Sequence, residues 1–351
     1  MTLPVTDSLL HRLGWDDGWE AAFAEHRAAG LDPARVAVQH RGAYDLLGDW
    51  GELRASAANR LVREERLPAV GDWVAVEPST SLIEDVLPRR TAISRKEVFQ
   101  VTREQILAAN VDVAFLVQAL PLDFNVRRLE RYLAMAWESG AQPVVVLTKI
   151  DLVDDMTFYL AEVEAVTLAA CPVVAVSAPT GEGLDDLRAW FRGNRTAVLL
   201  GSSGVGKSTI VNALVGEEVL ATQEVRADDQ AGRHTTTRRE LILLPEGGVV
   251  LDTPGIRELQ LWDADLEQTF GDVEEIARRC RFADCAHASE PGCAIHEALE
   301  NGSLSRARWD SYVKLQRELE ALEARRNHLL RQERVRGYKI RERANRHRKK
   351  R

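Results

Sequence analysis

The chain of 351 residues is expected to be a multidomain α/β protein that also carries a β-barrel. Three observations lead there. Residues 35–95 hold short alternating strands split by Gly and Pro, the texture of a small closed barrel. From about Lys96 to Trp262, near-continuous Val and Leu runs alternate with helical stretches, which implies a parallel sheet covered on both faces. Beyond these, Cys280, Cys285 and Cys293 crowd into one short segment with His287 among them, a spacing that suits a metal better than disulfides.

Residues 1–34 carry Trp, Phe and Leu at helical spacing in "HRLGWDDGWEAAFAEH" and form a helical extension with no readable function. In the barrel, "RVAVQHRGAYDLL", "ELRASAANR" and "GDWVAVEP" read as strands, with Gly71 and Asp72 at a tight turn. The α/β domain, 96–265, supplies the strands "VDVAFLVQAL", "PVVVLTKIDL", "CPVVAVSA", "TAVLLG", "ELILLP" and "GGVVLDTPG", with Cys171 a core residue of the third. The last domain, 266–351, joins the Cys/His segment to a long helix from about Ser305. Its apolar stripe is expected at Trp309, Val313, Leu319, Leu322 and Leu329.

Net charge is −8, but residues 331–351 hold 11 Lys and Arg against Glu333 and Glu342, which leaves 35 basic and 52 acidic groups, or −17, on the rest. A basic arm on an acidic body suits a polyanionic partner. The longest apolar run, Val111 to Leu120, is too short to cross a bilayer, and the amino terminus lacks a basic stretch followed by an apolar one. A cytoplasmic protein without membrane association is expected.

"GSSGVGKS" (Gly201, Ser202, Ser203, Gly204, Val205, Gly206, Lys207, Ser208) follows an apolar strand, as a phosphate loop must. Its N–H groups can wrap phosphate oxygens, Lys207 can reach the outer phosphates, and Ser208 can ligate Mg2+. A helix starting near Thr209 points its positive end the same way. "LDTPG" ends another apolar strand about 45 residues later. Asp252 is placed there to hold Mg2+ through water, and Gly255 to offer its N–H to the terminal phosphate. "GRHTTT" between the two supplies a second Mg2+ ligand, Thr236 or Thr237. Together these residues describe a switch-type GTPase.

"TKID" supplies the base reader. Guanine presents two N–H donors where adenine presents an acceptor and a C–H, so the Asp151 carboxylate selects guanine. Lys149 packs its stem over the base, and Ser177 and Ala178 offer a backbone N–H to the guanine oxygen. A site that pairs with substrate hydrogen-bonding groups discriminates by roughly 10⁴ or more. Here the guanine loop precedes the phosphate loop, the reverse of the usual order. In an open parallel sheet all binding loops emerge at the carboxyl ends of strands, so joining the old termini and cutting elsewhere keeps the site. The chain is read as a circular permutation.

A barrel-like segment, a permuted GTPase and a Cys/His cluster, in that order, resemble the ribosome small-subunit-dependent GTPase A (RsgA, also YjeQ) family. The likeness spans about residues 35–300 and includes "AANVDVAFLVQALPLDFNVRRLERYL" and "GRHTTTRRELILLPEGGVVLDTPGIREL". It implies an N-terminal OB-fold that binds RNA, a GTPase domain, a zinc-binding helical domain, and late maturation of the small ribosomal subunit as the task. Family members usually carry Asn at Thr148. That amide braces the guanine loop against the phosphate loop, and a hydroxyl replaces part of the bracing.

Cys280, Cys285, His287 and Cys293 offer a closed tetrahedral set for one structural Zn2+, with His296 a nearby alternative ligand. On the barrel, Arg41, Arg54, Arg60 and Arg63 are candidate contacts to rRNA. Ile256 stands where many GTPases have the Gln that orients the attacking water. His234 is therefore the expected positioning group, as the resemblance also implies. The chain is expected to be a monomer that binds GTP and GDP and is stimulated by the small subunit. An RNA-binding scaffold that keeps nucleotide as a structural or regulatory ligand is the competing reading. A kinase using ATP is disfavoured by Asp151.

Overall fold

The structure, a computed structural model, describes residues 8–96, 104–220, 240–252, 266–288 and 290–320. The extension is helical: α1 (Leu9–Arg12) is capped by Ser8 and α2 (Asp17–Ala28) by Asp16, whose side chain accepts from the Trp19 N–H. Its apolar face is aromatic. Trp15 meets Trp73 edge-on at 4.8 Å, Phe23 is fully buried, and the Arg90 guanidinium lies 4.0 Å over the ring of Trp19.

Strands β1 (Asp32–Gln39), β2 (Tyr44–Gly48), β3 (Gly51–Ala57), β4 (Trp73–Glu77) and β5 (Leu82–Val86) run in the order β1-β2-β3-β5-β4, and β4 closes back on β1. β3 and β5 are parallel and the other pairs antiparallel. A short helix, α3 (Asn59–Arg63), lies between β3 and β4. This is the five-stranded OB-type barrel. Val36, Leu46, Val74 and Ile83 fill it. "ELRASAANR" is not one strand: Ala58 donates to the Ile83 carbonyl and the chain then turns into α3, which buries Leu61 in the barrel core.

Arg35 of β1 is 1% exposed and donates to the carbonyls of Leu13, Gly71 (3.2 Å) and Asn110 (3.2 Å). One guanidinium thus ties the extension, the barrel and the entry to the next sheet. Burial lowers its pKa to about 10, against the opposing fields of Asp112 and Asp72, so it stays charged at neutral pH.

After a two-stranded ribbon of β6 (Ala92–Lys96) and β7 (Glu104–Ala109) come β8 (Val113–Ala119), α4 (Val126–Ser139), β9 (Gln142–Thr148), α5 (Thr157–Thr167), β10 (Val173–Val176) and α6 (Leu184–Arg188). Then follow β11 (Thr196–Leu200), α7 (Lys207–Val215), β12 (Glu240–Leu243) and β13 (Val249–Asp252). Their order is β10-β9-β8-β11-β13-β12, parallel except for β12. The strands read as continuous apolar runs because both faces are covered, and every residue of β8 and β11 is buried. Cys171 is buried in the turn just ahead of β10, not within the strand. β12 also pairs with β1, which joins sheet and barrel into one 11-stranded sheet.

A second compact unit takes in residues 95–96 and 104–105 with the described residues between 266 and 320. It contains α8 (Leu266–Thr269), α9 (Gly271–Ala277), α10 (Ala294–Glu300) and a helix seen over 306–320. The buried stripe of this last helix is Arg308, Ser311, Tyr312 and Leu315. The expected stripe was offset: Trp309, Val313 and Leu319 are half-buried flanks. Arg308 occupies the inner face because Asp272 (2.9 Å) and the Thr269 carbonyl (2.7 Å) satisfy it. Leu322, Leu329 and the basic tail lie outside the described residues. Among the described residues no helix is long and apolar enough to cross a membrane.

Candidate nucleotide site and metal cluster

The carboxyl ends of β8, β9, β10, β11 and β13 lie along one edge of the parallel sheet, and the described segments that follow the first four leave from that edge. "TKID" leaves β9, "SA" leaves β10, the glycine-rich loop leaves β11, and Asp252 ends β13. The segments meet although the chain reads the guanine loop first. Register explains it: Thr148 pairs with Ala119 on one side and Val176 on the other, and β8 in turn lies beside β11.

The phosphate loop turns tightly. Gly206 sits at φ +99°, a conformation L side chains resist, and at Gly201 a Cβ would come within 2.8 Å of the Val117 carbonyl. The N-cap of α7 is Gly206, which has no side chain to cap the helix, and helix geometry aims the first N–H groups toward the position an anion would take. Lys207 Nζ donates to the carbonyls of Gly201 (2.8 Å) and Ser202 (2.5 Å). Ser203 and Gly204 are exposed, and Val205 is buried as the anchor of the loop.

The guanine loop is tied to this loop by two side chains. Thr148, 4% exposed, donates through Oγ1 to the Val205 carbonyl (2.7 Å), with the Gln118 carbonyl at 3.4 Å. Lys149 Nζ donates to the Gly204 carbonyl (3.0 Å) from a backbone at φ +60°. The Thr148 hydroxyl thus supplies one bracing bond to the phosphate loop, at the Val205 carbonyl. Asp151 is exposed in the single 3-10 turn Ile150–Leu152. Ser177 is fully buried, its loop closed by Gly181 N–H to the Ser177 carbonyl, and Ala178 follows half-buried.

Four further residues, Gln118, Asp123, Asn125 and Arg128, border the loop and were not legible in the sequence. Ser202 Oγ donates to Asp123 Oδ2 (3.0 Å), Arg128 pairs with the same carboxylate (2.8 Å), and Gln118 Oε1 accepts from the Asn125 N–H (3.1 Å). The available signal was the polar turn "LDFN" directly after an apolar strand. His234, Thr236, Thr237 and Gly255 lie outside the described residues. Asp252 is described as the last residue of β13, opposite Glu240.

In the second unit, ligand atoms of Cys280, Cys285, His287 and Cys293 all lie within 4.8 Å of one another. His287 turns Nδ1 toward Cys280 Sγ (3.6 Å) and Cys293 Sγ (3.5 Å), and its ring stands edge-on to Trp309. His296 is engaged elsewhere, with Nε2 3.2 Å from the His287 carbonyl. Burial raises the Cys280 thiol, but N–H groups of Ala294 and Ile295 and the neighbouring thiols bring it below its ordinary value. At Cys285 a backbone bond from His287 is outweighed by burial and the two neighbouring thiols, which push it up to about 11. Three sulfurs and one imidazole at this spacing could hold a thiophilic divalent cation, which would favour all three as thiolates.

A family model described as RsgA GTPase matches residues 86–262. A relative from Opitutus terrae, named small ribosomal subunit biogenesis GTPase RsgA, is 48% identical over 336 residues, covering 90% of this chain and 91% of its own. One of the same name from Streptomyces coelicolor is 48% identical over 341 residues, covering 95% and 93%. Among solved structures, YjeQ from Thermotoga maritima superposes with a TM-score of 0.62 at 26% identity, over 82% of this chain and 98% of that one. YloQ, described as a circularly permuted GTPase, superposes with a TM-score of 0.57 at 25% identity, over 83% and 96%. With the strand order, the OB-type barrel and the converging loops, these likenesses make the chain a circularly permuted, GTP-hydrolysing enzyme that belongs to the RsgA GTPase family.

Proposed function

We propose that this GTPase acts in late maturation of the small ribosomal subunit, binding that subunit and its rRNA and hydrolysing GTP when the subunit stimulates it. The observation that carries the reading is the tie between guanine and phosphate loops, Thr148 to Val205 and Lys149 to Gly204, in a chain whose near full-length relatives bear that name. Asp151 reads guanine, with Lys149, Ser177 and Ala178 around the base. The loop 201–208 and Thr209 hold the phosphates, with Gly255 at the terminal one.

Mg2+, when bound with GTP, neutralises charge between the outer phosphates. Ser208, Thr236 or Thr237, and Asp252 would hold it. His234 orients the attacking water, a task Ile256 cannot perform. Zn2+ is the cation for the Cys280, Cys285, His287 and Cys293 set, where its role is to fold the module. The proposed division is an extension over 1–34, an RNA-binding barrel over 35–95, the GTPase over 96–265 and the zinc module with basic tail over 266–351. The protein acts in the cytoplasm as a monomer.

Phosphate release measured with and without purified small subunits tests this. Strong stimulation is expected, together with cosedimentation that differs between GDP and a non-hydrolysable GTP analogue. Negligible turnover in both conditions, with subunit binding retained, would instead make the protein a scaffold that uses nucleotide as a ligand.

A further inference from the structure

Ser202 is engaged from two directions by residues far apart in sequence. Its hydroxyl donates to Asp123 Oδ2 at 3.0 Å, and its carbonyl accepts from Lys207 Nζ at 2.5 Å. Asp123 lies in the turn between β8 and α4, and Arg128 holds it there. The guanidinium donates to the Asp123 carboxylate (2.8 Å), to the Asp123 carbonyl and to Gln118 Oε1 (3.4 Å). Asn125 locks the same turn: its N–H donates to Gln118 Oε1 (3.1 Å), and its side chain caps α4 by accepting from the Arg128 N–H (3.0 Å).

A carboxylate beside a loop shaped for phosphate repels the ligand unless its charge is balanced. Arg128 balances it, at about a quarter exposure, by pairing with Oδ2 (2.8 Å), the same oxygen that accepts from Ser202. An ionised acceptor strengthens a hydrogen bond relative to a neutral one, and this contact joins the loop to a turn that Arg128 and Asn125 hold in place.

We infer that Asp123 is a positioning residue for GTP hydrolysis. Through the Ser202 hydroxyl it fixes the start of the phosphate loop, and with it the carbonyls on which Lys207 rests before its ammonium turns to the phosphates. This rests on reading 201–208 as the phosphate-binding loop. Lys207 serves the outer phosphates, so slack at Ser202 acts on the triphosphate more than on the diphosphate. It also acts on turnover more than on binding, because reactivity falls steeply when reacting groups are slightly misplaced.

The test uses the full chain with Ser202→Ala, Ser202→Thr, Asp123→Asn, the Ser202→Ala/Asp123→Asn pair, and Lys207→Ala. GTP turnover and GTP and GDP affinities are measured for each. Ser202→Ala and Asp123→Asn are expected to lower kcat about ten-fold, the scale of a lost hydrogen bond to a charged group, while GDP affinity changes less. Ser202→Thr, which keeps the hydroxyl, is expected to restore turnover. The double variant should be no slower than the slower single one, since Ser202→Ala removes, and Asp123→Asn discharges, one and the same contact.

Parental kcat in both single variants overturns the role of Asp123. So does a double-variant loss equal to the product of the two, and so does a loss of GDP affinity as large as the loss of kcat, which marks general damage to the loop. Lys207→Ala separates the two levels. If it leaves GTP affinity unchanged, the phosphate-loop reading itself fails. If it abolishes GTP binding while Ser202→Ala and Asp123→Asn turn over normally, only the role of Asp123 fails.

Discussion

Thr148 Oγ1 donates to the carbonyl of Val205 across 2.7 Å, tying the end of β9 to a loop 57 residues further along the chain. The contact is buried at both Thr148 and Val205, where water does not readily replace a lost donor. Removing a donor and stranding its buried partner costs about 1 to 3 kcal/mol. Thr148→Val, similar in volume but without the hydroxyl, should weaken GTP and GDP alike by about ten-fold. Thr148→Asn, which brings a donor back, should bind at least as tightly as the parent. Titration with a fluorescent guanine nucleotide measures both, and unchanged affinity in Thr148→Val would remove the contact from the site.

Asp151 is exposed at the turn that leaves β9, with Lys149 beside it anchored to Gly204. Asp151→Asn replaces an acceptor with a mixed donor and acceptor. Guanine binding should fall by about 10² or more and xanthine binding should rise, because the partner pattern on the base edge is inverted. Competition among GTP, XTP and ATP reads this directly. Equal preference for GTP in parent and variant would place the base reader elsewhere.

For the metal cluster, Cys285→Ser removes one of four converging ligands. Metal content should fall from about one zinc per chain to well below it, and the second unit should lose protection in hydrogen exchange, since metal binding and local folding are linked. Guanine nucleotide affinity should persist. Because ligand thiols must lose their protons, zinc retention should also weaken as pH falls. Full zinc retention in Cys285→Ser, by elemental analysis, would contradict the assignment.

Asp16 links the extension to Arg90 while capping α2. The hydrogen bond from Arg90 is the largest influence on its carboxyl and holds it below the ordinary 3.8, with burial opposing. A carboxyl lowered on folding stabilises the fold above its unfolded pKa and ceases to do so as pH falls through the lowered value. Asp16→Ala should therefore cost about 1 kcal/mol at neutral pH, the usual value of an N-cap in this half-exposed setting, and less near the acid limit. Denaturant midpoints across pH test this. A difference that stays constant down to strongly acid pH would show that the charge is not involved.

His234→Ala addresses the water-orienting role proposed for that residue. GTP binding should be nearly unchanged while most of the subunit-stimulated rate is lost, a change about as large as general-base contributions of 10² to 10⁴. Stimulated phosphate release at the parental rate would assign the task to another group.

The nucleotide motifs and the Cys/His segment were legible in the linear chain because each is local. A phosphate loop needs glycines at fixed offsets after a strand, a guanine loop needs one carboxylate at a strand end, and metal ligands can sit within one short segment. Continuous apolar runs likewise announced a doubly covered sheet. Side-chain partners across strands were not legible. Ser202 and Asp123 are 79 residues apart, and Arg35 serves carbonyls as distant as Asn110, 75 residues away. Such pairs depend on which strand ends the order β10-β9-β8-β11-β13-β12 sets side by side. The inward turn of Arg308 escaped an apolar-stripe reading for a related reason. A charged side chain goes inside when a carboxylate and a carbonyl, here Asp272 of α9 and Thr269 of α8, come from other helices to satisfy it, and periodicity along one helix carries no record of them.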